Sequence, residues 1–445
     1  MSKNIGLYFT ILGLVALEVG AFFGCIAGIQ FLRTDTLGDI LPFHKTRPLH
    51  VSLVVSWLFL GSIGGIYYYL AQHTRTPLRS PKLAVAHFWI FLVTGLLIIL
   101  CYLLGIFGGR EYWAFPPLLA IPIITSWVFL LYNFFGTLSS RYGFKGWPVF
   151  FWMWATGIVF FLFTFLEVYA WLIPYFRQNV IRDLMVQWKA YGTLVGSWNM
   201  LIYGTSIYVM DRISSKPGYA TSRMAFFLYF LGLANLMLGW SHHIYIVPSA
   251  KWVRYLGYII SMTELIILAK MIWTWSRFLK AETKARYHLV HRFLLTTEFW
   301  IFMNLLLAIL ISVPAINVYT HGTHITVAHS MGSTIGINTM ILLASVCYIK
   351  LQHPECDFSE RQEAMVKGGY WIFSISLLLF WLGLVVSGIL KGYYTIETDM
   401  AFQSVMDKIK PYLSIFLVSG IGVFVGLGLI ANPTISVLVR RLRAE

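Results

Sequence analysis

Apolar runs of about 20 residues or more follow one another along this chain, parted only by short polar breaks. A run of that length is what an α-helix needs to cross about 30 Å of hydrocarbon at 1.5 Å per residue. Twelve such spans are expected, at 5–32, 49–72, 83–106, 116–135, 149–173, 184–210, 223–246, 252–279, 292–316, 322–351, 367–392 and 411–436. The breaks carry turn residues, as in "RTPLRSPK", "GFKGWP" and "SSKPGY". With 58% hydrophobic and 11% charged residues over 445 positions, no stretch has the polarity of a separate soluble domain. The expectation is an all-α polytopic membrane protein, one twelve-helix domain over 1–445, seated in a lipid bilayer. The first apolar run lacks a short core with a small-residue cleavage site, so it is expected to be a retained span.

A net charge of +15 suggests a nucleic-acid partner until its placement is read. Basic residues cluster at span ends, where they set orientation and meet anionic headgroups. The side holding both termini has 20 Lys/Arg (Arg75, Arg79, Arg212, Lys280 and Arg441 among them), the other side 11. That bias puts both termini in the cytoplasm and argues for no nucleic-acid partner. Cys25, Cys101, Cys347 and Cys356 show neither CxxC nor CxxCH spacing, so no covalent haem, zinc cluster or disulfide framework is expected.

With that orientation, four histidines from three distant stretches share the outer leaflet. His50 starts the second span, His242 and His243 close the seventh, and His329 lies about 10 Å into the tenth at 1.5 Å per residue. His73, His288, His291 and His353 fall on the inner side. A histidine at membrane depth is costly unless paired. A lone one, such as His87, is best read as hydrogen-bonded within the core. A convergent set instead suits haem iron or a non-haem metal, for which imidazole is a usual ligand. "GWSHHIYI" needs a distorted or ending turn if both rings are to meet one metal, because helix neighbours diverge by about 100°. In "VAHSMG", His329 and Met331 are two positions apart and so face opposite sides of their helix.

Twelve spans, "RPLH" opening the second, "HH" ending the seventh and "THGTHITVAH" opening the tenth resemble the catalytic subunit of cytochrome-c-dependent nitric oxide reductase, in the haem–copper oxidase superfamily. The resemblance covers nearly the whole chain. Glu264, in "SMTEL", follows His243 by 21 positions, where that family has a glutamate near its non-haem metal. "GREYWAFPP" is similar to the family's outer loop, and "SLVVSWLFLGSIGGIYYY" to its second helix. The resemblance implies two haem b groups, one low-spin with His50 as an axial ligand and one high-spin with His329 as its proximal ligand. It further implies non-haem iron, or copper, at His242 and His243, with Glu264 tuning it or relaying protons. It also implies a gaseous substrate, a separate membrane-anchored c-type cytochrome subunit, and a place in a bacterial or archaeal inner membrane.

Three departures stand against this pattern. The second low-spin ligand, a histidine in the family, is Met331 here. A thioether ligand would raise the haem potential; otherwise Met331 only packs. The family's third metal histidine and its two glutamates on the sixth span align with Tyr191, Val195 and Asn199, in a register set by Gly196 and Trp198. Tyr191 is either a hard anionic ligand or a buried hydrogen-bonding tyrosine. Ala114 stands where the outer-loop calcium glutamate is expected, so with Glu111 alone remaining a calcium site is doubtful.

Two readings of different class follow: a nitric oxide reductase, with an oxygen reductase or nitric oxide dismutase as enzymatic variants, and an electron-transfer subunit without a working second metal. Both share one topology. Reporter fusions should place residue 445 and the 211–222 loop in the cytoplasm and the 317–321 loop outside, and the reverse pattern would overturn the charge argument.

Overall fold

Long helices account for nearly all of the computed structural model, which describes residues 1, 4–139, 143, 146–214, 218–245, 247–260, 263–352 and 357–444. His353, Cys356 and parts of the turns "GFKGWP" and "SSKPGY" lie outside the described residues, as do the first two residues of "SMTEL". Twelve helical segments match the twelve expected spans: α1 Ile5–Leu32, α2 Phe43–Thr74, α3 Pro81–Leu104, α4 Ala120–Ser139, α5 Val149–Glu167, α6 Val180–Ile213, α7 Arg223–Leu238, α8 in two described parts, Lys251–Ile260 and Thr263–Phe278, α9 His288–Ser312, α10 His324–Leu351, α11 Glu360–Glu397 and α12 Phe402–Ala444. Short turns of helix sit between several of them, and the described residues contain no strand.

Eleven of the twelve are long and apolar enough to cross a membrane; the exception is α6. Its 34 residues reach about 50 Å at 1.5 Å each, so length is not what it lacks. From Ala190 to Met210 nearly every residue is buried, and Thr193, Ser197 and Thr205 hand their hydroxyls to carbonyls of α6 itself. A helix enclosed by other helices has no need of an apolar outer face. Glycines let its neighbours in. A Cβ on Gly196 would stand 2.8 Å from the Leu236 backbone of α7, and one on Gly157 of α5 2.8 Å from the Ser197 carbonyl. α2 and α10 are central too, with 72% and 83% of their most apolar stretches buried against 28% for α3. The interior of the bundle is therefore α2, α6 and α10, the helices that carry His50, Tyr191, His329 and Met331.

Span ends are where the sequence misleads. The second span is expected to start after Pro48, yet α2 begins at Phe43 and takes Pro48 inside its second turn. α12 likewise runs through Pro411 and Pro433. A proline costs one backbone bond and a clash with the preceding turn, which long packed helices absorb. The ninth span ends sooner than expected, at Ser312, and Pro314 opens a separate short helix, Pro314–Thr320.

α1 and α2 pack backbone against backbone. A Cβ on Gly6 would lie 2.7 Å from the Gly64 carbonyl, and one on Gly64 2.8 Å from the Thr10 nitrogen. Gly64→Val should therefore destabilise the protein by about 1–3 kcal/mol through overpacking. Gly95→Ala, on α3 with open space around it, should be neutral or stabilising by up to about 1 kcal/mol. Thermal unfolding in detergent reads both; equal effects would disprove the close-contact argument.

Candidate haem and metal centre

His50 lies seven residues into α2, about 10 Å along it and not at its end as expected. Its Nδ1 sits 2.8 Å from the Gly20 carbonyl of α1. A Cβ on Gly24 would come within 2.7 Å of that nitrogen, so only glycine seats the ring there. With Nδ1–H donating to a carbonyl, Nε2 keeps its lone pair and its direction, as a metal-ligating imidazole requires. The seat fits an axial haem ligand.

The "HH" pair is built by a change of helix. α7 gives way after Leu238 to a 3₁₀ turn, Gly239–Ile244, the tightened ending that joint ligation demands. The rings of His242 and His243 stand 4.1 Å apart at 38°. His243 is stacked on Trp188 of α6, 5.2 Å away and 9° from parallel. Gly192, one turn on, makes room: a Cβ there would be 2.5 Å from the Trp240 Cβ and 3.6 Å from His243 Cδ2.

His329 completes the convergence. It lies within electrostatic range of both His242 and His243, and His321 within range of His243. The Nδ1 of His329 is buried without a hydrogen-bond partner. His329 is thus within electrostatic reach of the His242–His243 pair, while the charged neighbour of His50 is Arg47. Met331 ends the α-helical first part of α10 and is half-buried against the core. After it the helix widens into a π-helical segment, Gly332–Thr339, with Gly332 against Asn304 and Gly336 against Trp300 of α9. Such widenings concentrate at functional sites.

Tyr191 is buried, its ring edge-on to Tyr112 at 5.2 Å and 85°. Its hydroxyl is buried without a hydrogen-bond partner, so none joins it to either histidine. The α6 residues set against His243 are Trp188 and Gly192, not Tyr191. Tyr112 lies in the outer loop, where burial first, and then Glu111, raises its phenol above the ordinary range.

Glu264 is buried; its Oε1 accepts from Asn235 Nδ2 at 2.7 Å, and its Oε2 has no partner. Asn199, the expected glutamate position, accepts from Asn338 Nδ2 at 3.0 Å. Sequence reasoning misses Asn235 and Asn338, because a single buried asparagine has no spacing signature.

Residues of the site fit haem better than they fit a second metal. Among the described residues, no three His, Cys, Asp or Glu side chains are grouped as a metal site. Two imidazoles, those of His242 and His243, lie side by side there. Glu111, the acidic residue of the outer loop on which a calcium site would depend, is paired with Arg47 at 2.5 Å.

Comparison with known proteins agrees with the fold. Residues 4–424 match the family described as cytochrome c and quinol oxidase polypeptide I. A nitric oxide reductase subunit of Stutzerimonas stutzeri is 24% identical over 96% of this chain and 93% of its own length. A Cbb3-type cytochrome c oxidase subunit of the same organism is 24% identical over 95% and 91%. Cytochrome c oxidase subunit 1 of Rhodobacter capsulatus is 22% identical over 93% and 80%. A haem–copper terminal oxidase dimer solved by cryo-EM superposes with a TM-score of 0.76 at 13% identity, covering 98% of this chain and 84% of its own. A match over nearly the whole length makes this chain a member of the cytochrome c and quinol oxidase polypeptide I family, a twelve-helix membrane oxidoreductase subunit.

Proposed function

We propose that this chain is the catalytic subunit of a nitric oxide reductase, turning two nitric oxide molecules, two electrons and two protons into nitrous oxide and water. The observation that carries the reading is the convergence of His242, His243 and His329. The retained Glu264 and the nitric oxide reductase relative support it. Haem b at His50 and haem b plus a non-haem iron or copper at the convergent histidines would supply electron storage and a binding place for the gas.

The chain's own part is positional. The Gly20 carbonyl and Gly24 hold the His50 ring in one orientation. Met331, across α10 from His329, offers a soft donor to whatever His50 ligates. Trp188, stacked on His243, restrains the imidazole pair and keeps water off one face of it. Tyr191 walls the outer end of α6. Glu264 keeps one oxygen free for a proton. Electrons come from a separate membrane-anchored c-type cytochrome, and the protein sits in a bacterial or archaeal inner membrane with both termini cytoplasmic.

A second reading, an electron-transfer subunit lacking the second metal, is favoured by one observation: α6 turns Trp188 and Gly192, neither a ligand, toward the histidine pair. Elemental analysis separates the two. The reductase reading expects two haem b by pyridine haemochrome and one further iron or copper per chain. His242→Ala should then lose that metal and at least about 100-fold in turnover, no less than loss of a residue that merely supports a ligand. Haem iron alone, with His242→Ala as active as the parent, would establish the second reading.

Ligation by Met331 has its own signature. The oxidised protein should show the near-infrared charge-transfer band of a His/Met haem, and Met331→Leu should abolish it and lower the potential. A bis-His band in the parent protein, or an unchanged spectrum in Met331→Leu, would mean that Met331 only packs.

A further inference from the structure

Three oxygens in the middle of the bundle are buried without partners: Glu264 Oε2, Asn235 Oδ1 and Asn338 Oδ1. Two of these residues, Glu264 and Asn235, line a cavity of about 10 Å³ between α6, α7 and α8, together with Asn199, Tyr203, Gly196 and Gly232. That is room for a single water molecule, and a buried water needs two to four polar partners. Asn199 lies seven residues along α6 from Gly192, which faces His243, so the cavity is about 10 Å from the histidine pair.

We propose that this cavity holds one ordered water bound by Asn199, Asn235 and Glu264, and that Asn199 is a positioning residue tying that water to the ligand-bearing helix α10 through Asn338. The hydrogen-bond directions follow from what is already committed. Asn338 Nδ2 donates to Asn199 Oδ1, which leaves Asn199 Nδ2 as a donor to the cavity. Asn235 Nδ2 donates to Glu264 Oε1, which leaves Asn235 Oδ1 as an acceptor and puts any carboxyl proton on Oε2. A water there accepts from Asn199 Nδ2 and from Glu264 Oε2–H and donates one hydrogen to Asn235 Oδ1. Its second hydrogen remains free.

That free hydrogen gives the site a use, and this use rests on the reductase reading. When the Oε2–H bond of Glu264 breaks, a new O–H bond forms on the water, the water's free O–H bond breaks in turn, and the proton released is one of the two consumed when nitric oxide becomes nitrous oxide and water. One proton moves, no electron does, and Glu264 is a carboxylate until it is protonated again. Val195 and Asn199 cannot share the task, since neither titrates, so Glu264 is the one carboxyl at this cavity. Asn199 contributes direction: it orders the water and, through Asn338, fixes it relative to the π-helical segment that follows Met331.

The test uses the purified holoprotein. Redox-difference infrared spectra should show the C=O stretch of a protonated carboxyl, shifted in D₂O and lost in Glu264→Gln. Asn235→Leu and Asn199→Leu should each shift that band, and a cryo-EM map that resolves waters should show density between the three side chains that Asn199→Leu removes. Asn199→Ser, which keeps a hydroxyl donor, should retain both density and band and serves if the leucine variant fails to fold. No water density in the parent protein, or a band indifferent to Asn199→Leu and Asn235→Leu alike, would overturn the proposal. Neither readout needs turnover. If both hold and the protein does not reduce nitric oxide, the water site stands and the reductase reading falls.

Discussion

Hydrocarbon offers no hydrogen bonds, so a polar group of this chain at membrane depth is costly unless it finds its partner inside the bundle. That constraint sorts the helices. Those rich in polar side chains, α6 above all, go to the middle, and the more uniformly apolar ones, such as α3, face outward. The same sorting brings the imidazoles together. His50 takes a carbonyl from α1, and His242 and His243 are packed against α6 and within reach of His329. A membrane bundle built this way concentrates its chemistry on its axis because the lipid side will not accept it.

Much of this is legible in the amino-acid order alone. Runs of twenty apolar residues are a strong signal with one physical cause, and eleven of the twelve expected spans are helices long and apolar enough to cross a membrane, the twelfth being the enclosed α6. The histidine pair stands out because two adjacent imidazoles at a span end have few structural uses. Less legible is whatever tertiary packing decides against local preference. Pro48, Pro411 and Pro433 look like breaks and lie inside helices. The 3₁₀ ending of α7 is required by the geometry of joint ligation, but the π-helical stretch of α10 has no sequence cue beyond Gly332 and Gly336. Tyr191 shows the limit of a register argument. Alignment places it at a ligand position, yet its ring packs on Tyr112 while Trp188 and Gly192, on either side in sequence, meet His243.

Replacing α6's expected histidine and carboxylates with Tyr191, Val195 and Asn199 changes the electrostatics of the interior. A buried carboxylate demands a cation or a proton, whereas an asparagine asks only for a donor and an acceptor. Asn199 finds its donor on α10 in Asn338. The exchange removes charge from the centre of the bundle and leaves Glu264 as the acidic group of the cavity. A centre with fewer anionic groups holds a cationic metal less firmly, and among the described residues no three His, Cys, Asp or Glu side chains are grouped as a metal site. It also favours the electron-rich state more, and an axial thioether would likewise favour reduction of the low-spin haem.

These changes act along one helix. His329 lies within electrostatic range of His242, Met331 packs half-buried against the core, and Asn338, within the π-helical segment, reaches Asn199 of α6. An ideal α-helix would step 100° per residue throughout; the wider segment resets the phase after Met331, and Asn338 within it meets Asn199. Gly332 and Gly336 make the reset possible by letting Asn304 and Trp300 of α9 press against the widened backbone. The same packing on α9 that admits the π turn thus holds the short α-helical stretch with His329 and Met331 before it.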